Sequence, residues 1–168
     1  MKPRDPLTKI KPLERLARTL TPLRKKKKKI VFTNGVFDLL HRGHVTYLNQ
    51  ARKQGDLLVV ALNDDASVKR LKGDSRPLHI LSDRILTLAA LECVDYVTWF
   101  SDDTPLEAIL KLKPTLIVKG GDYAADAQPG SSKYIVGTQE CSAWGGKSKV
   151  LPFVDGYSTT EIIRKSRG

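Results

Sequence analysis

Two histidines, His41 and His44, stand three residues apart around Arg42 and Gly43, closing a polar segment that runs from Thr33 through Asn34, Gly35, Phe37 and Asp38. At a helix start, side chains at i and i+3 share a face, so both rings are expected to project the same way. Gly43 puts no side chain between a ligand and the backbone. The free N–H groups and the dipole of a helix start attract anions. Two imidazoles there suit a polyphosphate, donating hydrogen bonds to its oxygens as charge builds in a transition state. Zinc needs at least a third ligand; His79 is the only other histidine and neither Cys93 nor Cys141 is near, which argues against a metal site. The plain alternative is two core histidines flanking a glycine. There is no GxGxxG or Walker loop to support a nicotinamide or P-loop reading.

Two further polar segments carry potential chemistry: Lys119-Gly120-Gly121-Asp122-Tyr123 and Gly156-Tyr157-Ser158-Thr159-Thr160-Glu161. One serine or threonine before a helix is an ordinary N-cap. Three hydroxyls in a row exceed that need and can hold phosphate oxygens. Lys69, Lys72 and Arg76 form a cationic set that suits an incoming phosphate, or else a solvated basic loop.

All three segments must be positioned by the elements before them. Residues 30–32, 56–62, 96–100, 115–118 and 149–153 are apolar runs that read as strands; continuous rather than alternating runs mark strands buried on both faces of a parallel sheet. Helices are expected over 43–54, 64–71, 83–91 (capped by Ser82), 133–143 and 159–165, with a polar loop over 72–79. Thr104-Pro105-Leu106-Glu107 reads as a capping box opening a helix that ends before Pro114. Alternating strands and helices of this length predict one Rossmann-like, doubly wound α/β sandwich around a five-stranded parallel sheet. Ligands in such sheets bind beyond the carboxyl ends of the strands where the order reverses. If strands one, four and five are neighbours, the three polar segments share one crevice.

Composition narrows the class. A chain of 168 residues with 40 % hydrophobic content can bury a core, which excludes a disordered chain and a disulfide-stapled miniprotein. No apolar run approaches the ~20 residues of a membrane span, and the N-terminus has no apolar stretch of a secretory leader. Two distant cysteines fit reduced thiols and a cytoplasmic location. The net charge of +11 is concentrated: residues 1–29 hold twelve Lys/Arg, including the block 25–29, against Asp5 and Glu14. This basic arm, partly helical or flexible, precedes a nearly neutral domain over 30–168. Its lysines can bind a polyanion or serve as a solvated lead-in. Leu13, Leu16, Ala17 and Leu20 have the spacing of an amphipathic helix.

The His41-Arg42-Gly43-His44 segment is similar to the HxGH motif of the nucleotidyltransferase superfamily that includes cytidylyltransferases and pantetheine-phosphate adenylyltransferase. Residues 158–163 resemble that superfamily's second, Ser/Thr-rich motif. Four stretches, 33–44, 66–77 (ASVKRLKGDSRP), 89–97 and 118–123 (VKGGDY), resemble one branch closely. It is the D-glycero-β-D-manno-heptose 1-phosphate adenylyltransferase branch, found alone or as the C-terminal domain of a bifunctional kinase/adenylyltransferase. The likeness covers about residues 30–165, and KRLKGDSRP with KGGDY is more specific than HxGH.

The resemblance implies transfer of AMP from ATP to the sugar 1-phosphate, for the inner core of lipopolysaccharide. It gives His41 and His44 to the ATP phosphates and the transition state. Asp38 is expected to support the HxGH loop near the metal. Thr33, Asn34, Gly35 and Phe37 are expected on the nucleotide side, Lys119, Gly120 and Asp122 beside the adenosine, and Ser158, Thr159 and Thr160 on the β- and γ-phosphates. Asn63, Lys69, Lys72 and Arg76 are expected to serve the acceptor, with Lys72 also in a catalytic role. Mg²⁺ is expected with the ATP rather than in a protein cage. Relatives often form homodimers or larger homo-oligomers; neither nucleic acid nor membrane insertion is expected. No kinase region accompanies the domain in this sequence, so the phosphorylated sugar is expected from another protein. Tyr157 stands where relatives often have cysteine, and the lysine-rich arm exceeds the usual lead-in.

Two other readings compete. A cytidylyltransferase acting on glycerol 3-phosphate or a similar alcohol phosphate would share the fold and HxGH, and only the KRLKGDSRP and KGGDY segments separate it. A non-catalytic polyanion binder would rely on residues 1–29, and their deletion distinguishes it.

Overall fold

The apolar runs pair into one sheet, because continuous strands of Val, Ile and Leu must be covered on both faces. The computed structural model describes residues 4–124, 126–152, 157 and 159–166, apart from the side chains of Thr160 and Ser166. Strands β1 (Ile30–Gly35), β2 (Leu57–Asn63), β3 (Tyr96–Phe100), β4 (Leu116–Gly120) and β5 (Lys147–Leu151) run parallel in the order β3-β2-β1-β4-β5. Helices α1 (Pro6–Lys9), α2 (Leu13–Lys25), α3 (Arg42–Arg52), α4 (Asp65–Lys72), α5 (Leu81–Ala90), α6 (Leu106–Leu112), α7 (Thr138–Ala143) and α8 (Thr159–Ser166) complete the described elements. The chain steps from β1 outward to β3 and then returns to place β4 on the other side of β1. The order therefore reverses between β1 and β4, with β5 beyond, as the shared crevice required.

Each face of the sheet has its own core. On one, Val31, Leu58, Val60 and Val118 pack under Leu48 and Ala51 of α3 and Leu88 and Ala89 of α5. On the other, Ile30, Phe32, Val59 and Ile117 meet Leu16 and Leu20 of α2 and Ile109 and Leu112 of α6. Each Val, Leu, Ile or Phe among them, fully withdrawn from water, contributes roughly 1.5–3 kcal/mol before the entropy cost. The predicted leucine stripe of the basic arm is thus a docked helix: Leu16 and Leu20 are wholly buried. Further ties are Lys9 Nζ donating to the Leu91 carbonyl at 2.9 Å and the Arg24 guanidinium to the Leu112 carbonyl at 2.7 Å. The lysine block forms the turn into β1, where Lys28 pairs with Asp56 at 3.2 Å.

Several boundaries differ from expectation, each for a tertiary reason. β1 runs on through Thr33-Asn34-Gly35, because β2 continues to pair with it up to Leu62. The helix expected over 133–143 is only α7, because Gly137 adopts φ +88° against Ile109, where an added Cβ would lie 2.7 Å from the side chain. Ser82 does not cap α5; the helix begins two residues earlier than expected, at Leu81, and Asp65 accepts the Leu81 amide at 3.2 Å instead. The capping box at 104–107 is also absent: α6 starts at Leu106 without a side-chain cap, and Thr104 faces the central cavity. β5 starts two residues early, directly after the turn at Gly145-Gly146, and the expected Phe153 lies outside the described residues. Among the described residues no helix is long and apolar enough to cross a membrane, and Cys93 and Cys141 are buried free thiols.

Candidate active site

At the carboxyl ends of β1, β2 and β4 lies a cavity of about 630 Å³. Asn34 and Gly35 close β1 on its wall, Asn63 closes β2, and Lys119 and Gly120 close β4. Phe37, Lys72 and Asp122 add to the lining, as do Gly43 and His44 from the start of α3. The topology thus brings together three strand ends far apart in sequence and one helix N-terminus.

His41 is the N-cap of α3, and its Nδ1 accepts the His44 amide at 3.4 Å. A neutral ring that accepts on Nδ1 carries its proton on Nε2, leaving that atom to donate. The two rings stack with centroids 3.8 Å apart, and Tyr157 stacks beyond His41 at 6.5 Å. Gly43 is required between them: an added Cβ would lie 3.0 Å from the His41 ring and 3.1 Å from Tyr157 Cβ. Burial drives the His44 pKa down to about 4, with the neighbouring His41 adding to the fall and the Leu39 carbonyl opposing it. Burial also lowers His41. Both rings are therefore neutral donors and acceptors at pH 7, and His44 Nδ1 is buried with no partner in the protein. Asn34 Oδ1, on the same wall, is equally unpartnered. Orphaned buried polar atoms are uncommon, and here two of them belong to residues of one cavity wall.

A pH test follows from the His44 shift. The unfolded chain binds a proton near the ordinary histidine value of 6.5, whereas the folded ring refuses it until about 4. Stability should therefore be full above pH 6.5 and fall as pH drops through that window. Thermal melts from pH 7 to 5 should show this slope, and His44→Asn should flatten it.

The remaining expected residues divide. Asn63 lines the cavity while its Nδ2 donates to Ser67 Oγ at 3.0 Å. Lys72, at the end of α4, reaches the wall, but Lys69 on the same helix is exposed and away from it. Arg76 is committed elsewhere: its Nε pairs with Asp38 Oδ2 at 2.7 Å. Asp38 is buried and also accepts the amides of Leu78, at 2.8 and 2.9 Å, and His79, at 2.9 Å. Burial would raise its carboxyl, but the two amides and Arg76 outweigh that and hold it below the usual carboxylate value. Asp38 thus straps residues 76–79 to the end of β1.

Lys119 donates to the Asn34 carbonyl at 3.0 Å and lies over the Tyr123 ring at 5.2 Å; burial lowers its pKa to about 8. Thr33 is wholly buried and off the wall, its hydroxyl 2.7 Å from Tyr47 Oη. Thr159 opens α8, whereas Ser158 and the Thr160 side chain lie outside the described residues.

Sequence reasoning missed Thr104 and Tyr47. Tyr47 has a readable signal, since it is three residues beyond His44 and shares its helix face. Its hydroxyl joins the Thr33 hydroxyl to the Val118 carbonyl, at 3.0 Å, locking α3 onto β1 and β4. Tyr47→Phe should cost about 1–2 kcal/mol in urea unfolding, because it strands two buried groups. A loss below a few tenths would mean that water replaces the hydroxyl.

Comparison with known proteins places this geometry. Residues 32–165 match the family described as cytidylyltransferase-like. The bifunctional protein HldE of Trichlorobacter lovleyi is 51% identical over 162 residues, which is 96% of this chain and 32% of that protein. That of Shigella sonnei is 53% identical over 152 residues, 90% of this chain and 30% of the relative. The chain thus spans about a third of the length of the curated relatives it matches. Among solved structures, a lipopolysaccharide core biosynthesis protein from Thermoplasma volcanium aligns with a TM-score of 0.58 at 26% identity, over 78% of this chain and 99% of that one. A pantoate-beta-alanine ligase from Francisella tularensis shares the fold at 14% identity, TM-score 0.51, over 94% and 76%.

Proposed function

Since the chain belongs to the cytidylyltransferase-like family, we propose that it transfers AMP from ATP to D-glycero-β-D-manno-heptose 1-phosphate. A phosphate oxygen of the sugar attacks the α-phosphorus, the bond to the β-phosphate oxygen breaks, and pyrophosphate leaves with ADP-heptose as the product. The observation that carries this reading is the stacked, neutral His41–His44 pair at the start of α3, with Gly43 and His44 on the wall of the cavity that the ends of β1, β2 and β4 share. The kinship to bifunctional HldE proteins and the KRLKGDSRP and KGGDY segments direct the choice of acceptor. Supply of the lipopolysaccharide inner core from a cytoplasmic enzyme, assembled as a homodimer or larger homo-oligomer, is part of the same proposal.

The sugar phosphate is already an anionic nucleophile, so positioning and charge neutralisation carry the reaction without a strong base. His41 and His44 donate to the phosphates as charge moves to the leaving pyrophosphate. Lys72 is the cation left for the acceptor phosphate, since Lys69 is off the wall and Arg76 is held by Asp38. Asn63 lies beside that acceptor on the wall. Thr159, with Ser158 and Thr160, holds the β- and γ-phosphates, and Lys119, Gly120 and Asp122 border the nucleoside. Among the described residues no group of three or more His, Cys, Asp or Glu forms a metal cage. Mg²⁺ would travel on phosphate oxygens with few protein ligands. Of the wall carboxylates, Asp103 pairs with Arg70 at 2.7 Å, which leaves Asp122 to share it, and both Asp38 oxygens are already engaged. Bound there, Mg²⁺ would neutralise phosphate charge.

Pyrophosphate release should be measured with Mg²⁺, offering ATP or CTP against heptose 1-phosphate or glycerol 3-phosphate. Release confined to ATP with heptose 1-phosphate is the expected result. Release with CTP and glycerol 3-phosphate would keep the fold and chemistry but overturn the acceptor. Silence with every pair would overturn the reading.

A further inference from the structure

Arg84, in the first turn of α5, is the largest of the fully buried side chains described. A buried guanidinium is costly unless its donors are met. Four of the five donors that such a group carries are met here. Nε donates to the His79 carbonyl at 2.9 Å, and Nη1 to the carbonyls of Val36 and Asn63 at 2.8 and 2.9 Å. Nη2 pairs with Asp65 Oδ1 at 2.6 Å. The four acceptors belong to four segments: the loop after β1, the end of β2, the first turn of α4, and the strap before α5. Val36 and Asn63 are both on the cavity wall, and α4 delivers Lys72 to that wall from its far end.

Anchoring α5 does not require this arrangement. Ile85, Leu88 and Ala89 of α5 already pack in the core, and an apolar side chain at position 84 would avoid the cost of desolvating a charge. What only a planar fork supplies is fixed hydrogen bonding in several directions at once; the single ammonium of lysine cannot reproduce it. We propose that Arg84 is the positioning residue that assembles the acceptor side of the cavity, holding the end of β2 and the start of α4 so that Lys72 stands on the wall. The role given to Lys72 rests on the function proposed above.

The test uses Arg84→Lys and Asp65→Asn in the full chain, the second removing a single acceptor should the first fail to fold. Without substrate, hydrogen exchange should quicken at least about tenfold in residues 36–38, 63–66 and 78–81, with 59–61 in the middle of β2 unchanged. With substrates, the KM for the sugar phosphate should rise roughly tenfold while kcat changes less than about threefold. In a Lys72→Ala background the same substitution should add less than about twofold, because the effect runs through Lys72. Exchange that quickens evenly across the sheet would overturn the proposal. So would penalties from Arg84→Lys and Lys72→Ala that simply multiply. A wild-type chain silent toward every acceptor would sink the functional reading alone; the exchange pattern would then still decide whether Arg84 assembles these segments.

Discussion

Alanine in place of His44 is expected to lower turnover at least about 100-fold with the fold intact, and alanine at His41 should do the same. In the free protein the His44 ring contributes mainly by packing, stacked on His41 at 3.8 Å and tilted against Phe37 at 5.2 Å, while its Nδ1 is buried and burial pushes its pKa down to about 4. Alanine gives up that stacking, worth about 1 kcal/mol, so the melting temperature at pH 7 should fall by only roughly 2–4 °C. His41 gives up only the long cap to the His44 amide, worth about 1 kcal/mol or less. In the proposed reaction the cost appears as charge develops on the departing pyrophosphate, where each neutral ring would supply a donor in a water-poor setting. Steady-state turnover and a thermal melt on the same samples check both halves. Full activity in both variants would remove the histidines from the mechanism.

The second large effect falls on stability. Asp38→Ala leaves the Arg76 guanidinium, whose side chain is only 16 % exposed, without its counter-ion and the Leu78 and His79 amides without an acceptor. Removing one partner of a buried pair costs about 3 kcal/mol or more. For a chain of this length that lowers the melting temperature by roughly 6–12 °C. Asp38→Asn, which keeps the shape and one acceptor oxygen, should fall between. The pH dependence has a definite sign. The folded carboxyl titrates below its ordinary value of 3.8, so its contribution is present above that pH and is lost as acid takes it through the folded value. This window lies below the one set by His44, so the two can be separated in one series of melts. A variant melting within about 2 °C of the parent would show that the strap is held by other contacts.

Much of the architecture was written locally. The continuous apolar runs of β2 and β4 could only be strands covered on both faces, and the leucine spacing of α2 marked a buried stripe. The polar segments after β1 and β4 were legible as site segments because they directly follow buried strands. Backbone propensity and side-chain period act over a few residues, so one chain suffices to reveal them.

Pairings between distant segments were not legible. Three cations, Lys69, Lys72 and Arg76, looked equivalent along the chain. Lys69, one turn back along α4, is exposed and off the wall, and the buried Asp38, arriving from β1, took Arg76. Thr104 looked like a cap and became cavity wall; Ser82 looked like a cap, and Asp65 of α4 serves that helix start instead. Arg84 gave no signal at all, since an arginine in an amphipathic helix ordinarily faces water. The sequence by itself determined the strands, most of the helices and the histidine pair at the start of α3, because these rest on local spacing and residue type. Only the tertiary structure decided which polar groups are free to meet a ligand and which are consumed in holding the site together, because a buried hydrogen bond must be satisfied by whichever segment the fold brings within about 3 Å.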